Sequence, residues 1–557
     1  MRFGTPLLAA TMMAGLSACA STSTMPAGDL PPPGEAPANV AAAEAPDLLV
    51  VISVDQLSSD LLEEYLPLMS GGLKRLASQG TLFINGYQAH SLTETCPGHA
   101  TILTGAHPSR SGIVANRWND IDLPPDERVI YCAEDPSRRG EQGDRMIISA
   151  APLKVPTLGT YMKVADPSSR NVVISGKDRA AIMLGGHDVD QRWWWGADGW
   201  MTDVDAPAPT VVSSATIATR NLVDAGSDGL VMPDYCAAKP EVVAEGQWPV
   251  GEHNLSWEGG DNSSFRRSPA YDGAVLALGA ALLDDMQLGQ GGGTDLLSLG
   301  LSATDYVGHA YGPDGGEMCL QMFGLDRNLE GFLDLLDGRG VDYAVMLTSD
   351  HGGPPLPERL ALEGIETSRM APDLNASIQG GVKARFEGLP EDWIAGGAPY
   401  DVYLSPQIDD ALRAQALAAL QAAYNAHPQV EAAHTAAEIA AVPMPSGDPS
   451  EWTLLQRLRA THDPERSGDL SIILNEWLTP IEDPGPTFIS HHSSPWSYDR
   501  RVPIIFYRPG QEALLRTDPA RTVDILPTLA RHLDVSLGGA EIDGVCLDGV
   551  HGVRCAD

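Results

Sequence analysis

The stretch Asp47-Leu48-Leu49-Val50-Val51-Ile52-Ser53-Val54-Asp55 opens the folded part of the chain, an apolar run broken only by Ser53 and closing on an aspartate. A run without polar alternation reads as a strand covered on both faces, as in a parallel sheet. Helical spacing follows at Leu61, Leu62, Tyr65, Leu66, Leu73 and Leu76, interrupted at Gly71-Gly72, and Thr81 to Tyr87 reads as the next strand. The alternation then recurs. A helix over Val155–Val164 precedes a strand at Asn171–Ser175, a helix over Asp272–Met286 precedes one at Asp295–Leu301, and a helix over Met318–Leu336 precedes one at Tyr343–Thr348. Strands at Leu470–Leu474 and Val502–Tyr507 and a closing helix over Thr522–Leu533 complete the pattern. It predicts an α/β fold, a doubly wound, mostly parallel sheet with helices on both faces. Two stretches fit poorly and read as insertions on a 47–557 core. Residues 187–269 hold Trp193-Trp194-Trp195 and Trp200, read as packing rather than substrate stacking; residues 354–476 hold Ala-rich helices at Ala411–Tyr424 and His434–Ala441.

Charge and cysteine usage narrow the function classes. Against 74 Asp and Glu stand 36 Lys and Arg, a net charge of −38 in 557 residues, which argues against nucleic-acid binding. A protein this acidic that handled phosphate would need positive side chains or metal ions at the site itself. Residues 1–19 read as an export leader: Arg2, then a short apolar segment from Pro6 to Leu16. Leu16-Ser17-Ala18-Cys19 resembles a lipobox that would leave a lipid on Cys19, with the Ser, Thr, Pro and Ala of 20–46 as a flexible tether; Ala18-Cys19-Ala20 also fits cleavage to a soluble periplasmic form. No later segment is long and apolar enough to span a bilayer, so contact with a membrane is expected only through that anchor. Six further cysteines suit disulfides in an oxidising compartment, with Cys546–Cys555 and Cys96–Cys132 the nearest pairs.

Three apolar runs end in aspartate: Asp55, Asp305 and Asp350. In open α/β sheets ligands bind at the carboxyl ends of strands, where three gathered carboxylates require cations between them. Asp305-x-x-x-His309 and Asp350-His351 have ligand-like spacing, and a further histidine comes from His491-His492-Ser493-Ser494-Pro495. Carboxylate with imidazole suits zinc, and paired sites with open positions clamp phosphoryl groups. Lys177-Asp178-Arg179 follows the strand at Asn171–Ser175 and reaches the same edge. In Thr93-Glu94-Thr95-Cys96-Pro97-Gly98-His99-Ala100-Thr101, Thr95 falls at or just before a helix N-terminus. It is placed there either as an N-cap or as an alkoxide nucleophile favoured by the helix end.

These motifs together resemble the alkaline phosphatase superfamily, and within it the bacterial phosphate-irrepressible alkaline phosphatases that use threonine as nucleophile. The carriers are Val54-Asp55-Gln56, Thr95-Cys96-Pro97-Gly98-His99, Gly112-Ile113-Val114-Ala115-Asn116, Lys177-Asp178-Arg179, Asp305-x-x-x-His309, Asp350-His351-Gly352 and His492-Ser493-Ser494-Pro495. The resemblance implies two zinc ions, one held by Asp55, Asp350, His351 and Thr95, the other by Asp305, His309 and His492. Ser493 stands where the family has glycine, and His492 rather than His491 matches the family's histidine. Thr95 becomes the nucleophile, with Asn116, Lys177 and Arg179 holding the phosphoryl oxygens. The implied substrates are small phosphate monoesters, with some diester cleavage. Phosphodiesterases and nucleotide pyrophosphatases of the superfamily are the alternative, and they typically lack the Lys-Arg pair. A sulfatase would need Cys-x-Pro-x-Arg, which Cys96-Pro97-Gly98-His99 does not supply. An inactive, lipid-tethered binding protein is the remaining reading.

Overall fold

A computed structural model describes residues 34, 44–143, 145–398, 400–550 and 555. The leader at 1–19, Cys19 and nearly all of the tether lie outside the described residues. Ten strands form the main sheet: β1 (Leu48–Val54), β2 (Thr81–Tyr87), β3 (Asn171–Ser175), β4 (Gln191–Gly196), β5 (Gly199–Met201), β6 (Asp295–Leu301), β7 (Tyr343–Thr348), β8 (Arg501–Tyr507), β9 (Leu514–Arg516) and β10 (Ala520–Arg521). Their order is β9-β2-β8-β7-β1-β6-β3-β4-β5, with β10 beside β2. The pairings from β7 through β1, β6 and β3 to β4 are parallel. Only β8 and β5 run against the rest. The expected doubly wound, mostly parallel sheet is what the chain builds.

The side chains of β1 divide between two cores, which is why its sequence lacks polar alternation. Leu48, Val50, Ile52 and Val54 pack on one face with Leu278, Leu282, Leu329 and Leu333. Leu49 and Val51 pack on the other with Ile102, Leu103, Leu184 and Leu529, all of these partners lying on helices. These helices span Thr95–Thr104 (α1), Asp178–Gly185 (α2), Pro269–Asp285 (α3), Gly316–Asp337 (α5) and Ile525–His532 (α6), with α4 at Ala303–Tyr311.

Residues 191–201, read from sequence as part of an insertion, supply two edge strands of the sheet. Trp193 and Trp195 are buried on one face and Trp194 on the other, so the run shows no alternation to betray a strand. The 354–476 stretch carries its own four-stranded sheet, Ile394–Ala398, Asp401–Leu404, Val430–Thr435 and Leu470–Leu474, over a separate apolar cluster that includes Leu404, Leu420 and Ile472. Disulfides join Cys96 to Cys132, Cys236 to Cys319 and Cys546 to Cys555, the first and last being the pairs nearest in sequence. No helix among the described residues is long and apolar enough to cross a membrane.

His107, just beyond α1, is buried with neither ring nitrogen hydrogen-bonded, and burial brings its pKa down to about 4. Its folded value lies below its unfolded value, so its neutral form contributes stability fully above the ordinary histidine pKa of about 6.5. That contribution, about 3 kcal/mol for a group this buried, is lost as pH falls from about 6.5 toward 4. Thermal midpoints measured across this window should fall in the wild type and fall less in His107→Phe. Equal slopes would show that another group governs acid lability.

Candidate active site

Four adjacent strands present their carboxyl ends at one edge. Asp55 follows β1, Asp350 and His351 follow β7, Asp305 lies in the first turn of α4 after β6, and Lys177 is the N-cap of α2 after β3. Because β8 is antiparallel to β7, it starts at this same edge, and the segment leading into it brings His491 and His492 there. Thr95 is the first residue of α1; the N-cap is Glu94, whose side chain makes no capping bond. Thr95 is therefore inside the helix and not its cap. The Asn116 loop lies against this turn. Asn116 Oδ1 accepts from the Cys96 N–H at 2.8 Å, and the Asn116 carbonyl accepts from the Cys132 N–H at 3.0 Å, beside the Cys96–Cys132 disulfide.

All three aspartates, Thr95, Lys177, His351 and His492 are buried. The Lys177 ammonium lies between two of the carboxylates, 2.7 Å from Asp55 Oδ2 and 2.5 Å from Asp305 Oδ2. His351 Nε2 stands 3.5 Å from Asp55 Oδ1 and 3.4 Å from Asp350 Oδ2. Asp305 Oδ1 lies 3.3 Å from His309 Nε2 and 3.4 Å from His492 Nε2. Asp55, Asp350 and His351 thus make one cluster with donor atoms within 4.8 Å of one another, and Asp305, His351 and His492 make a second. Of the residues expected from sequence, Asp55, Asp305, Asp350, Lys177, His351 and His492 come together here, and His309 joins through Asp305.

The donors are arranged as a metal requires. Asp55 and Asp305 each give Oδ2 to Lys177, and Asp350 gives Oδ1 to the Gln56 N–H at 3.1 Å. The other oxygen of Asp55 and of Asp305 is buried without a hydrogen bond, and Asp350 Oδ2 is buried with His99 Nδ1 at 2.9 Å. The histidines repeat the scheme: Nδ1 meets a backbone carbonyl, Gly352 O for His351 (2.9 Å), Ser490 O for His309 (2.8 Å) and Thr93 O for His492 (2.7 Å). Such anchoring fixes the tautomer and leaves the Nε2 lone pair for a cation. Buried polar atoms ordinarily find partners, so the bare oxygens of Asp55 and Asp305 and the bare Nε2 of His351, beside Asp350 and the imidazoles of His309 and His492, fit bound metal.

Electrostatics reflect the crowding. Burial, then the charges of Asp305 and Asp350, hold the Asp55 carboxyl well above the usual carboxylate range. Burial acts upward on Asp305 and Asp350 too. His309 with Lys177 outweighs it at the first, His351 with His99 at the second, and both stay below the usual range. Burial brings His351 down to about 3. At His492 burial also acts downward, but Asp305 outweighs it and holds the imidazole above its ordinary value. Arg179 extends the cationic side, and its Nε is buried with no partner.

Several contributors escaped the sequence reading. Glu94 Oε2 accepts from the Asn116 N–H at 2.5 Å, tying the threonine turn to the asparagine loop. His99 Nδ1 lies 2.9 Å from both Thr95 O and Asp350 Oδ2. Gln56, at φ 68°, turns the chain after β1 so that its N–H reaches Asp350. Each links residues remote in sequence, and no spacing rule signals such contacts.

A gathering of ligand-type residues at the carboxyl edge of this sheet, with a helix-borne threonine and a lysine-arginine pair at the same edge, belongs to the alkaline phosphatase superfamily. Residues 49–497 match the family described as type I phosphodiesterase / nucleotide pyrophosphatase, and the chain belongs to it. The chain is 44% identical over 519 residues to "Alkaline phosphatase PhoK" of Sphingomonas sp, covering 92% of each chain. It is 40% identical over 555 residues to "Alkaline phosphatase PhoD" of Zymomonas mobilis, covering 97% of this chain and 95% of that one. Among solved structures it is similar to wild-type alkaline phosphatase PafA, with a TM-score of 0.80 and 25% identity over 92% of this chain and all of that chain.

The site depends on α1 approaching Asp350 closely. A Cβ at Gly98 would stand 2.2 Å from the Asp350 carbonyl oxygen, inside any contact distance. Gly98→Ala should push the threonine helix off the metal-binding edge and lower kcat for a phosphate ester by about 100-fold, since misplacement near 1 Å costs that much. Turnover measured beside circular dichroism tests this; wild-type kcat in a folded variant would show that the contact does not set the geometry.

Proposed function

We propose that this protein is a zinc-dependent alkaline phosphatase that hydrolyses phosphate monoesters through a phosphothreonine at Thr95. What carries the reading is the pair of bare carboxylate oxygens on Asp55 and Asp305, gathered with Asp350 and three anchored imidazoles, with Thr95 at the same edge. Asp55, Asp350 and His351, with Thr95, would hold one zinc, and Asp305, His309 and His492 the other; when bound, these ions supply Lewis acidity that favours the threonine alkoxide and offsets charge on the phosphoryl and leaving oxygens.

The residues account for the rest. Thr95 Oγ attacks phosphorus in line, the Oγ–P bond forms as the P–O bond to the leaving group breaks, and the released alkoxide takes up a proton. Water then attacks phosphorus, which regenerates Thr95 and releases inorganic phosphate. The N-terminus of α1 directs its dipole toward the transferring group. Asn116 spends Oδ1 on the Cys96 N–H, so its side-chain amide donates to a phosphoryl oxygen. The unpartnered Arg179 Nε and the Lys177 ammonium hold the remaining charge, and catalysis here is mainly positioning and charge stabilisation. A monoester carries more charge than a diester, and this cationic pair favours it.

Broad-specificity scavenging of small phosphate esters outside the cytoplasm suits the disulfides, the acidic surface and the leader with Cys19. Mass spectrometry of the mature N-terminus distinguishes lipidated Cys19 from simple cleavage.

Turnover of an aryl phosphate monoester should exceed that of the bis-aryl diester. Arg179→Ala should lower kcat/KM for the monoester by about 10²–10³-fold and for the diester by less, as for loss of one transition-state donor. Thr95→Ala should remove turnover by at least about 10³-fold, and chelation should abolish it until zinc is restored. A wild type that prefers the diester would favour the phosphodiesterase reading, and full activity without zinc would end the two-metal reading.

A further inference from the structure

The loop before β8 carries another imidazole, which the mechanism above leaves unused. One ring nitrogen each of His309, His491 and His492 lie within 4.8 Å of one another, and the His309 and His491 rings stack at 5.3 Å. His491 Nε2 is 3.2 Å from Ser493 Oγ, while its Nδ1 is buried with no partner. Ser493 Oγ in turn lies 3.3 Å from Glu94 Oε1.

A Ser493 hydroxyl that donates to Glu94 Oε1 accepts the His491 Nε2–H, the arrangement that leaves Nδ1 with a bare lone pair. The result matches the neighbouring ligands: one ring nitrogen anchored as a donor, the other spare, the pattern of metal-ligating histidines. Ser493 makes this anchor from φ 95°, in the left-handed region that residues with a Cβ rarely enter. Such strain persists where surrounding contacts over-determine it. Glycine would sit there without strain but could not anchor the ring.

We propose that His491 is a further donor to the cation held by Asp305, His309 and His492, with Glu94 and Ser493 as the positioning residues that set its tautomer. This rests on the two-metal reading above. Four protein donors still admit a substrate oxygen, because zinc expands to five-coordination.

Metal binding, read apart from activity, tests the proposal. Chelator-stripped protein is titrated with Zn2+ by calorimetry and with Co2+ by visible absorption, whose bands report the number of donors. Wild type should bind two ions. His491→Ala should weaken one site by about 10–100-fold, leave the other unchanged and alter the Co2+ spectrum. Ser493→Ala keeps the left-handed residue and removes only the hydroxyl, and should weaken the same site by about 10-fold. It decides the matter if His491→Ala does not fold. Wild-type affinities and spectra in the folded variants would overturn the role of His491 while leaving two metals in place. A wild type that binds fewer than two ions would overturn the two-metal reading, and this proposal with it.

Discussion

The Lys177 ammonium, set between Asp55 and Asp305, is the interaction on which the architecture of the site depends. Three carboxylates buried at the ends of adjacent strands repel one another strongly, and burial alone favours their neutral forms. One ammonium bonded to two of them holds those strand ends together and orients each so that its second oxygen turns away, bare. A buried charge trio of this kind is poor evidence for stability in itself. Its value lies in geometry, since it prepares places for cations before any arrive. The cost is met by the packed sheet beneath, where β1, β3, β6 and β7 are buried along their whole length.

Around that centre, close backbone contact does the positioning. Gly98 lets α1 lie against the carbonyl of Asp350, and Gly308 lets α4 lie against the side chain of Gln56, whose Oε1 would stand 1.5 Å from any added Cβ. The Cys96–Cys132 disulfide and the Glu94–Asn116 bond then lock the threonine turn to the asparagine loop. The threonine turn is thus held against Asp350 at backbone distance, beside the carboxylates that Lys177 bridges.

Much of this was legible in the sequence. The limits of β3 and β6 match the strands read from the sequence, and β1 matches within a residue, because burial on both faces leaves these segments dominated by apolar residues. Asp55 and Asp350 stood out for the same reason, as the first charges after such runs. Residues 191–201 did not, since tryptophans facing alternate cores look like an apolar cluster of no fixed period. Lys177 was placed at the correct edge, but its bridge between carboxylates is a contact across more than a hundred residues that spacing does not encode. Glu94, His99 and Gln56 stood within the quoted motifs, but their contacts were not legible on the same grounds. Ser493 was noticed as a departure from glycine, and its φ of 95° shows what that departure costs the backbone.

The order of the strands also divides the centre along the chain. Strand β2, which leads to Thr95, pairs in the sheet with β8, β9 and β10, all drawn from residues beyond 500. Because β8 lies between β7 and β2, a strand from late in the chain is the splice that joins the early segment carrying Thr95 to the strands carrying the aspartates.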